Sequence, residues 1–212
     1  MDFKLDYTDQ ASIKNSFDRI AGDIFTYLTF VAGENEFHFT EIEFYHYHPE
    51  FHPDPFVHRH PQQQKFLNWY FHGSGLDVCI RNESETGTYS SFLIRGIKGL
   101  KDGGFTNGPI NVVTRIFEAF GNSADKNSWL FIVENTQPCR IINGPFSSER
   151  IGLSGSGDTS GEFLFKKYRF IIDVVPDHKF ENKEKLIKEL LNEGKIKLQE
   201  VKAMLGYNFK DP

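Results

Sequence analysis

The segment Glu36 to Tyr47 constrains this fold more than any other stretch of the 212 residues. It reads as a β-strand, and strand side chains alternate between faces, so Glu41, Glu43, Tyr45 and Tyr47 share one side. Two carboxylates and two tyrosines do not resemble a packed core. Such a face is the wall of a wet cavity or an exposed sheet surface. The chain also carries 22 Phe, which suit the pleated, half-buried surface of a sheet and predict an aromatic, strand-rich interior. Its length is enough for one sizeable core.

Around this strand the elements are punctuated by Gly and Pro. Ile13, Phe17 and Ile20 have the 3–4 spacing of an amphipathic helix, predicted to close at Gly22. Asp23 to Phe30 is β-prone, and residues 49–64 form a Pro-, His- and Gln-rich loop, long enough to suggest a functional one. Phe66 to Phe71 and Leu76 to Asn82 read as a hairpin, followed by a turn at Glu83 to Gly87 and a strand through Phe92 to Ile97. A Gly-rich loop from Lys101 to Asn107 precedes a helix that Pro109 starts at the favoured first position. Later strands are predicted at Trp129–Val133, Arg140–Ile142 and Phe163–Val174, with a Gly/Ser loop over Ser154 to Gly161. Beyond Asn182, a Lys- and Glu-rich segment predicts two short helices broken near Gly194.

Net charge is −5, but it is unevenly spread. Residues 1–50 hold ten acids against three bases, and residues 51–212 hold nineteen against twenty-one. The acidity is local, so it does not by itself exclude an anionic partner. No apolar run approaches the ~20 residues that span a bilayer, and the first residues lack a signal-peptide pattern. Cys79 and Cys139 share no motif, and two cysteines cannot build a Cys-rich zinc site. A cytoplasmic protein with free thiols, no cofactor and no membrane partner is expected.

Seven of the eight histidines fall between His38 and His72, with His46, His48, His52, His58 and His60 the densest run. Imidazole is a common zinc ligand, so a His-ligated metal hydrolase is one reading. The run lacks the helical H-E-x-x-H arrangement in which ligands at i and i+4 face together, a third ligand is not fixed by spacing, and a solvated His-rich loop is the simpler account. Glu41 and Glu43 are the best-placed carboxylates, since one near a polar pocket can orient or deprotonate water. Tyr45, Trp69, Tyr70 and His58 add aromatic and hydrogen-bonding surface suited to a flat heteroaromatic ligand.

The order of these residues resembles the alkyladenine (methylpurine) DNA glycosylase family. Thr40-Glu41-Ile42-Glu43-Phe44-Tyr45 is similar to its E-T-E-A-Y strand, and Asp54-x3-His58 to its D-x3-H, after a loop four residues longer. Trp69-Tyr70-Phe71-His72-Gly73, Phe92-Leu93-Ile94-Arg95 and Asn107-Gly108-Pro109 match its aromatic strand, its V-L-L-R strand and its S-G-P helix start. Arg150-Ile151-Gly152 and Tyr168-Arg169-Phe170 resemble its closing segments, so the match spans about Ser16 to Val175.

The resemblance implies a mixed α+β fold with a strongly bent antiparallel sheet and peripheral helices over residues 1–178, plus a helical C-terminal appendage over 179–212. It implies a hydrolase that excises damaged or modified purines from DNA, with no metal. Glu43 would activate water, while Tyr45, His58 and Trp69 would line the base pocket and Arg95 would supply charge. Cys79 stands where the family has an asparagine that screens against guanine, and His72 where it has the tyrosine that wedges into the duplex. Lys166-Lys167-x-Arg169 is the only tight basic cluster. A monomer is expected. The alternative within the same fold is a protein that binds a nucleobase or nucleotide, a small purine ligand, without excision.

Overall fold

The computed structural model describes residues 2–6, 9–80, 86–121, 129–155, 158 and 161–207. The predicted turn over Glu83 to Gly87 lies mostly outside the described residues, as does part of the Ser154 to Gly161 loop. The architecture is mixed α+β. A curled antiparallel sheet forms a half-barrel, with few helices against it.

The first helix, α1 (Gln10–Tyr27), is capped by Asp9, whose carboxylate accepts the Ser12 N–H at 2.7 Å. It does not stop at Gly22. Ala21, Ile24 and Phe25 prolong its buried stripe, and that packing outweighs the roughly 1 kcal/mol that an interior glycine costs. The strand expected from Asp23 therefore begins only at β1 (Leu28–Ala32). Strand β2 (Asn35–His48) is the predicted one, slightly longer. The 49–64 loop contains β3 (His52–Pro53) and a 3-10 turn at Pro61–Gln64. The hairpin is β4 (Trp69–His72) with β5 (Gly75–Cys79), followed by β6 (Tyr89–Gly99).

A short strand, β7 (Phe105–Asn107), occupies the end of the expected Gly-rich loop, ahead of α2 (Pro109–Ala119). Strand β8 (Leu130–Glu134) follows expectation. Arg140–Ile142 is not a strand, because the Ile142 N–H goes to the Asp173 carboxylate at 2.7 Å instead of to a ladder. The neighbouring strand is β9 (Phe146–Ser148), and the long strand expected over Phe163–Val174 shrinks to β10 (Arg169–Ile171).

The sheet runs β4-β5-β6-β2-β1-β8, and β2 is its spine. One edge of β2 follows β6 almost throughout. The other edge meets β1 over residues 35–38, then β10 over 41–43, then β3 over 47–48. Register slips around Thr40 and Glu41, so the strand bends there, as bulges do. Phe30, Phe37, Phe39, Phe44, Phe92 and Phe170 fill the interior beneath the curl, with Phe17 of α1 stacked on Phe44 at 4.5 Å.

The last helices, α3 (Lys183–Asn192) and α4 (Leu198–Leu205), build a smaller apolar cluster with Phe180, Val174 and Ile171 of β10. The tail is thus packed on the sheet. Lys167 reaches Glu193 at 2.6 Å, and Arg169 Nη2 donates to the Glu181 carbonyl at 2.9 Å.

The bend at Glu41 needs a glycine opposite it. A Cβ on Gly96 would lie 2.8 Å from Thr40 Oγ1 and 3.0 Å from Glu41 Cβ. Gly96→Val is expected to lower stability by about 1–3 kcal/mol, the usual cost of overpacking. Urea denaturation reads this, and an unchanged midpoint would show that the bend tolerates a side chain.

Candidate functional site

Strand alternation keeps Glu41, Glu43 and Tyr45 on one face of β2, and the neighbouring strands close over that face. Glu41 and Glu43 are fully buried rather than wet. Two arginines from flanking strands neutralise them. Arg95 of β6 and Arg169 of β10 each donate Nε–H to Glu41 Oε1 at 2.8 Å. Arg95 Nε also lies 3.4 Å from Glu43 Oε1.

Glu43 has two further partners. Its Oε1 accepts the Ile151 backbone N–H at 2.7 Å, and its Oε2 accepts the Tyr45 hydroxyl at 3.0 Å. Burial raises the Glu43 pKa, with Arg95 and the Ile151 N–H partly offsetting that. Burial and the Glu43 charge raise Tyr45 well above its ordinary value, so the phenol stays a donor.

A second buried pair braces this arrangement. Asp54 Oδ2 accepts from Arg150 Nη1 at 2.7 Å, both side chains being inaccessible to solvent. The Arg150 guanidinium lies 4.8 Å from the centre of the Tyr45 ring. Arg150 also donates to the carbonyls of Phe44 and Phe163. This anchors the chain just before Ile151 and so aims the Ile151 N–H at Glu43.

Tyr45, Arg95 and Ile151, the three partners of Glu43, all line one cavity of about 460 Å³. Phe56, His58, Gln63, His72, Asp77 and Glu181 complete much of its wall, together with Pro109 at the start of α2. The volume falls in the roughly 300–1,000 Å³ range of small-molecule sites. His58 stands at the mouth, its pKa lowered by partial burial and by the neighbouring His72. His60, Tyr70 and His72 form a ladder of rings, at 4.7 Å and then 4.9 Å between centres.

Of the residues singled out in the sequence, Glu43, Tyr45, His58 and Arg95 come together here. Trp69 does not. Alternation along β4 sends Tyr70 and His72 to one side and Trp69 to the other, where its ring packs 5.7 Å from Phe30. Cys79 is buried outside the cavity wall, and burial pushes its thiol up to about 12. His72 is not an outward wedge. Its Nε2 donates to Asp77 Oδ1 at 3.1 Å, and its side chain is 9% exposed.

The histidine run disperses into structural roles. His46 Nδ1 meets Ser90 Oγ, His52 bridges the His46 carbonyl and the Tyr168 hydroxyl, and His60 caps the 3-10 turn. No three His, Cys, Asp or Glu side chains converge as metal ligands among the described residues. The basic cluster is equally occupied. Lys166 binds Gln10 and Glu162, Lys167 binds Glu193, and Arg169 is buried against Glu41.

Sequence reasoning missed Asp77 and Gln63. Asp77 is 3% exposed and accepts from Ser91 Oγ at 2.7 Å and Gln63 Nε2 at 3.3 Å in addition to His72. The signal was present: Leu76-Asp77-Val78-Cys79 places a lone acid inside a wholly buried strand.

No protein-family model matches the chain. It is similar to an uncharacterized protein of Acanthamoeba polyphaga mimivirus, 28% identical over an alignment covering 79% of this chain and 89% of the viral one.

The Asp54–Arg150 pair makes the next expectation. Asp54→Leu strands a buried guanidinium and should cost about 3–5 kcal/mol, whereas Asp54→Leu with Arg150→Met should recover most of it. Equal losses in the single and double variants, read by urea denaturation, would contradict this.

Proposed function

We propose that this protein hydrolyses the N-glycosidic bond of a purine, in the manner of a DNA glycosylase, with Glu43 as the residue that activates water. One observation carries the reading: Glu43 lies sealed behind a cavity of purine-compatible size, and all three of its partners form that cavity's wall. The glycosylase-like fold belongs to the same proposal. It is supported by the curled sheet and by the convergence of Glu43, Tyr45, His58 and Arg95.

Cleavage of a glycosidic bond develops positive charge on the sugar as the base departs. A carboxylate just behind the cavity wall, once Tyr45 releases it, stabilises that charge and takes a proton from the attacking water as the new C–O bond forms. When it is ionised, the lone pairs left after Tyr45 and Ile151 are served meet only the long contacts of Arg95, 3.4 Å to Oε1 and 3.5 Å to Oε2. The elevated Glu43 pKa makes it a stronger base than a surface carboxylate. The Tyr45 ring and Phe56 offer apolar surface to the purine, and His58 a hydrogen bond.

One observation favours a second reading, in which a purine is bound but not cleaved. Glu43 has no exposed surface, and His72 faces inward, so neither water access nor duplex wedging is set up in this conformation. The catalytic reading requires Tyr45 to release Glu43 when the base enters.

The test is release of free base from hypoxanthine- or methylpurine-containing oligonucleotides and from the corresponding nucleosides. Glu43→Gln should lower the rate by about 10²–10⁴-fold. Glu43 must be ionised to act, so activity should be lost as pH falls through a value above the ordinary 4.5 of a glutamate. Purine binding without release, unaffected by Glu43→Gln, establishes the second reading.

A further inference from the structure

Most buried carboxylates near the site have a cation. Glu41 and Glu43 share Arg95 and Arg169, and Asp54 has Arg150. Asp77 does not. Its only ion-pair partner among the described residues is His72. That ring accepts the Ser74 N–H on Nδ1 at 3.2 Å, which leaves its proton on Nε2 and the imidazole neutral. The other donors, Ser91 and Gln63, are also neutral, and both go to Oδ2. Oδ1 takes the His72 N–H alone among the described residues, so it has a lone pair to spare. A carboxylate oxygen with one of its lone pairs unused can accept a further donor. Asp77 lines the cavity, so that donor can come from a ligand.

The charges around the cavity narrow the ligand further. Among the described residues, the one arginine in its wall is Arg95, already shared by Glu41 at 2.8 Å, Glu43 at 3.4 Å and Glu181 at 3.8 Å. Glu181 itself stands at the rim and is 61% exposed on its side chain. Among the described residues, a phosphate entering the cavity would meet no free guanidinium and two carboxylates, Asp77 and Glu181.

We infer that Asp77 is the specificity-determining residue of this cavity and selects 6-oxopurines, the hypoxanthine and guanine type, through their N1–H. This rests on the purine reading above and assigns the edge that the protein reads. In a 6-oxopurine the ring nitrogen N1 carries a proton, and guanine adds a 2-amino donor beside it. Adenine presents a lone pair at N1, which a carboxylate repels. His72 is a positioning residue that holds the Asp77 carboxylate in plane with its Nε2–H. The charge balance favours an unphosphorylated ligand edge, offered by a free nucleoside or by an extruded base whose phosphates stay outside.

The test is calorimetric titration of the full chain with deoxyguanosine, deoxyinosine and deoxyadenosine. dGMP and a single-stranded oligonucleotide holding one deoxyinosine complete the set. Deoxyguanosine and deoxyinosine should bind at least about 10-fold more tightly than deoxyadenosine, and dGMP more weakly than deoxyguanosine. Asp77→Asn should abolish that preference, and Glu181→Gln should strengthen dGMP alone. The oligonucleotide distinguishes the sources: tighter binding than deoxyinosine points to an extruded base, weaker binding to a nucleoside.

Equal affinity for the three nucleosides in the wild-type protein overturns the assignment of Asp77 and leaves the purine reading standing. So does a preference that survives in folded Asp77→Asn. No binding of any purine overturns both. The wild-type comparison decides the matter even where the Asp77 variant fails to fold.

Discussion

The structure depends on a buried charge cluster in the middle of a β-sheet. Glu41 and Glu43 project from β2 into the protein, where uncompensated carboxylates would cost several kcal/mol each. Arg95 and Arg169 remove that cost only because β6 and β10 flank β2 at this level, pairing Glu43 with Leu93 on one side and Arg169 on the other. The change of neighbour on the second edge of β2, from β1 to β10, is therefore a requirement of the charges as well as of the bend. Gly96 permits both. It lets β6 approach the bulge at Thr40 and Glu41, which keeps the guanidinium of Arg95 within reach of both carboxylates.

The same cluster divides labour between two glutamates that look equivalent. Glu41 takes both Nε–H donors at 2.8 Å, on one oxygen, and ties β6 and β10 to β2. Glu43 gets the weaker share of Arg95 and instead takes a backbone N–H and a phenol. Its pKa is raised by burial, which Arg95 and the Ile151 N–H only partly offset. Two carboxylates two residues apart thus acquire different partners from the strands and loop that flank them.

Much of this was legible in the sequence, for identifiable reasons. The period-two pattern of Glu36 to Tyr47 placed both glutamates and Tyr45 on one face, and Pro109 marked the start of α2. The two C-terminal helices and their break near Gly194 followed from composition and spacing. Other features were not legible. Gly22 read as a helix stop because its local propensity is poor, while the burial of Ile24 and Phe25 is a tertiary fact. Arg140–Ile142 looked like a strand because of its apolar residues, yet its N–H at Ile142 is claimed by Asp173, thirty-one residues away. Trp69 and His72 had the right residue types for a base pocket and a wedge. The parity of β4, set by its pairing Trp69↔Val78 and His72↔Gly75, sends one away from the cavity and the other into it.

Electrostatics sharpen what the net charge of −5 means. Four carboxylates lie in or just behind the cavity wall: Glu41, Glu43, Asp77 and Glu181. Arg95 and Arg169 answer three of them, Glu41, Glu43 and Glu181, and both guanidiniums are committed to that task. The lysines nearest in sequence to Arg169 are committed as well, one of them to the C-terminal tail through Glu193. Long-range attraction for a polyanion scales with cations left unpaired at the surface, and this region has spent its cations internally. Local acidity at the cavity is then a selective field. It disfavours the approach of phosphate and favours a donor-bearing or cationic edge, while Arg95, shared among three carboxylates, only partly offsets the rise that burial gives the Glu43 pKa.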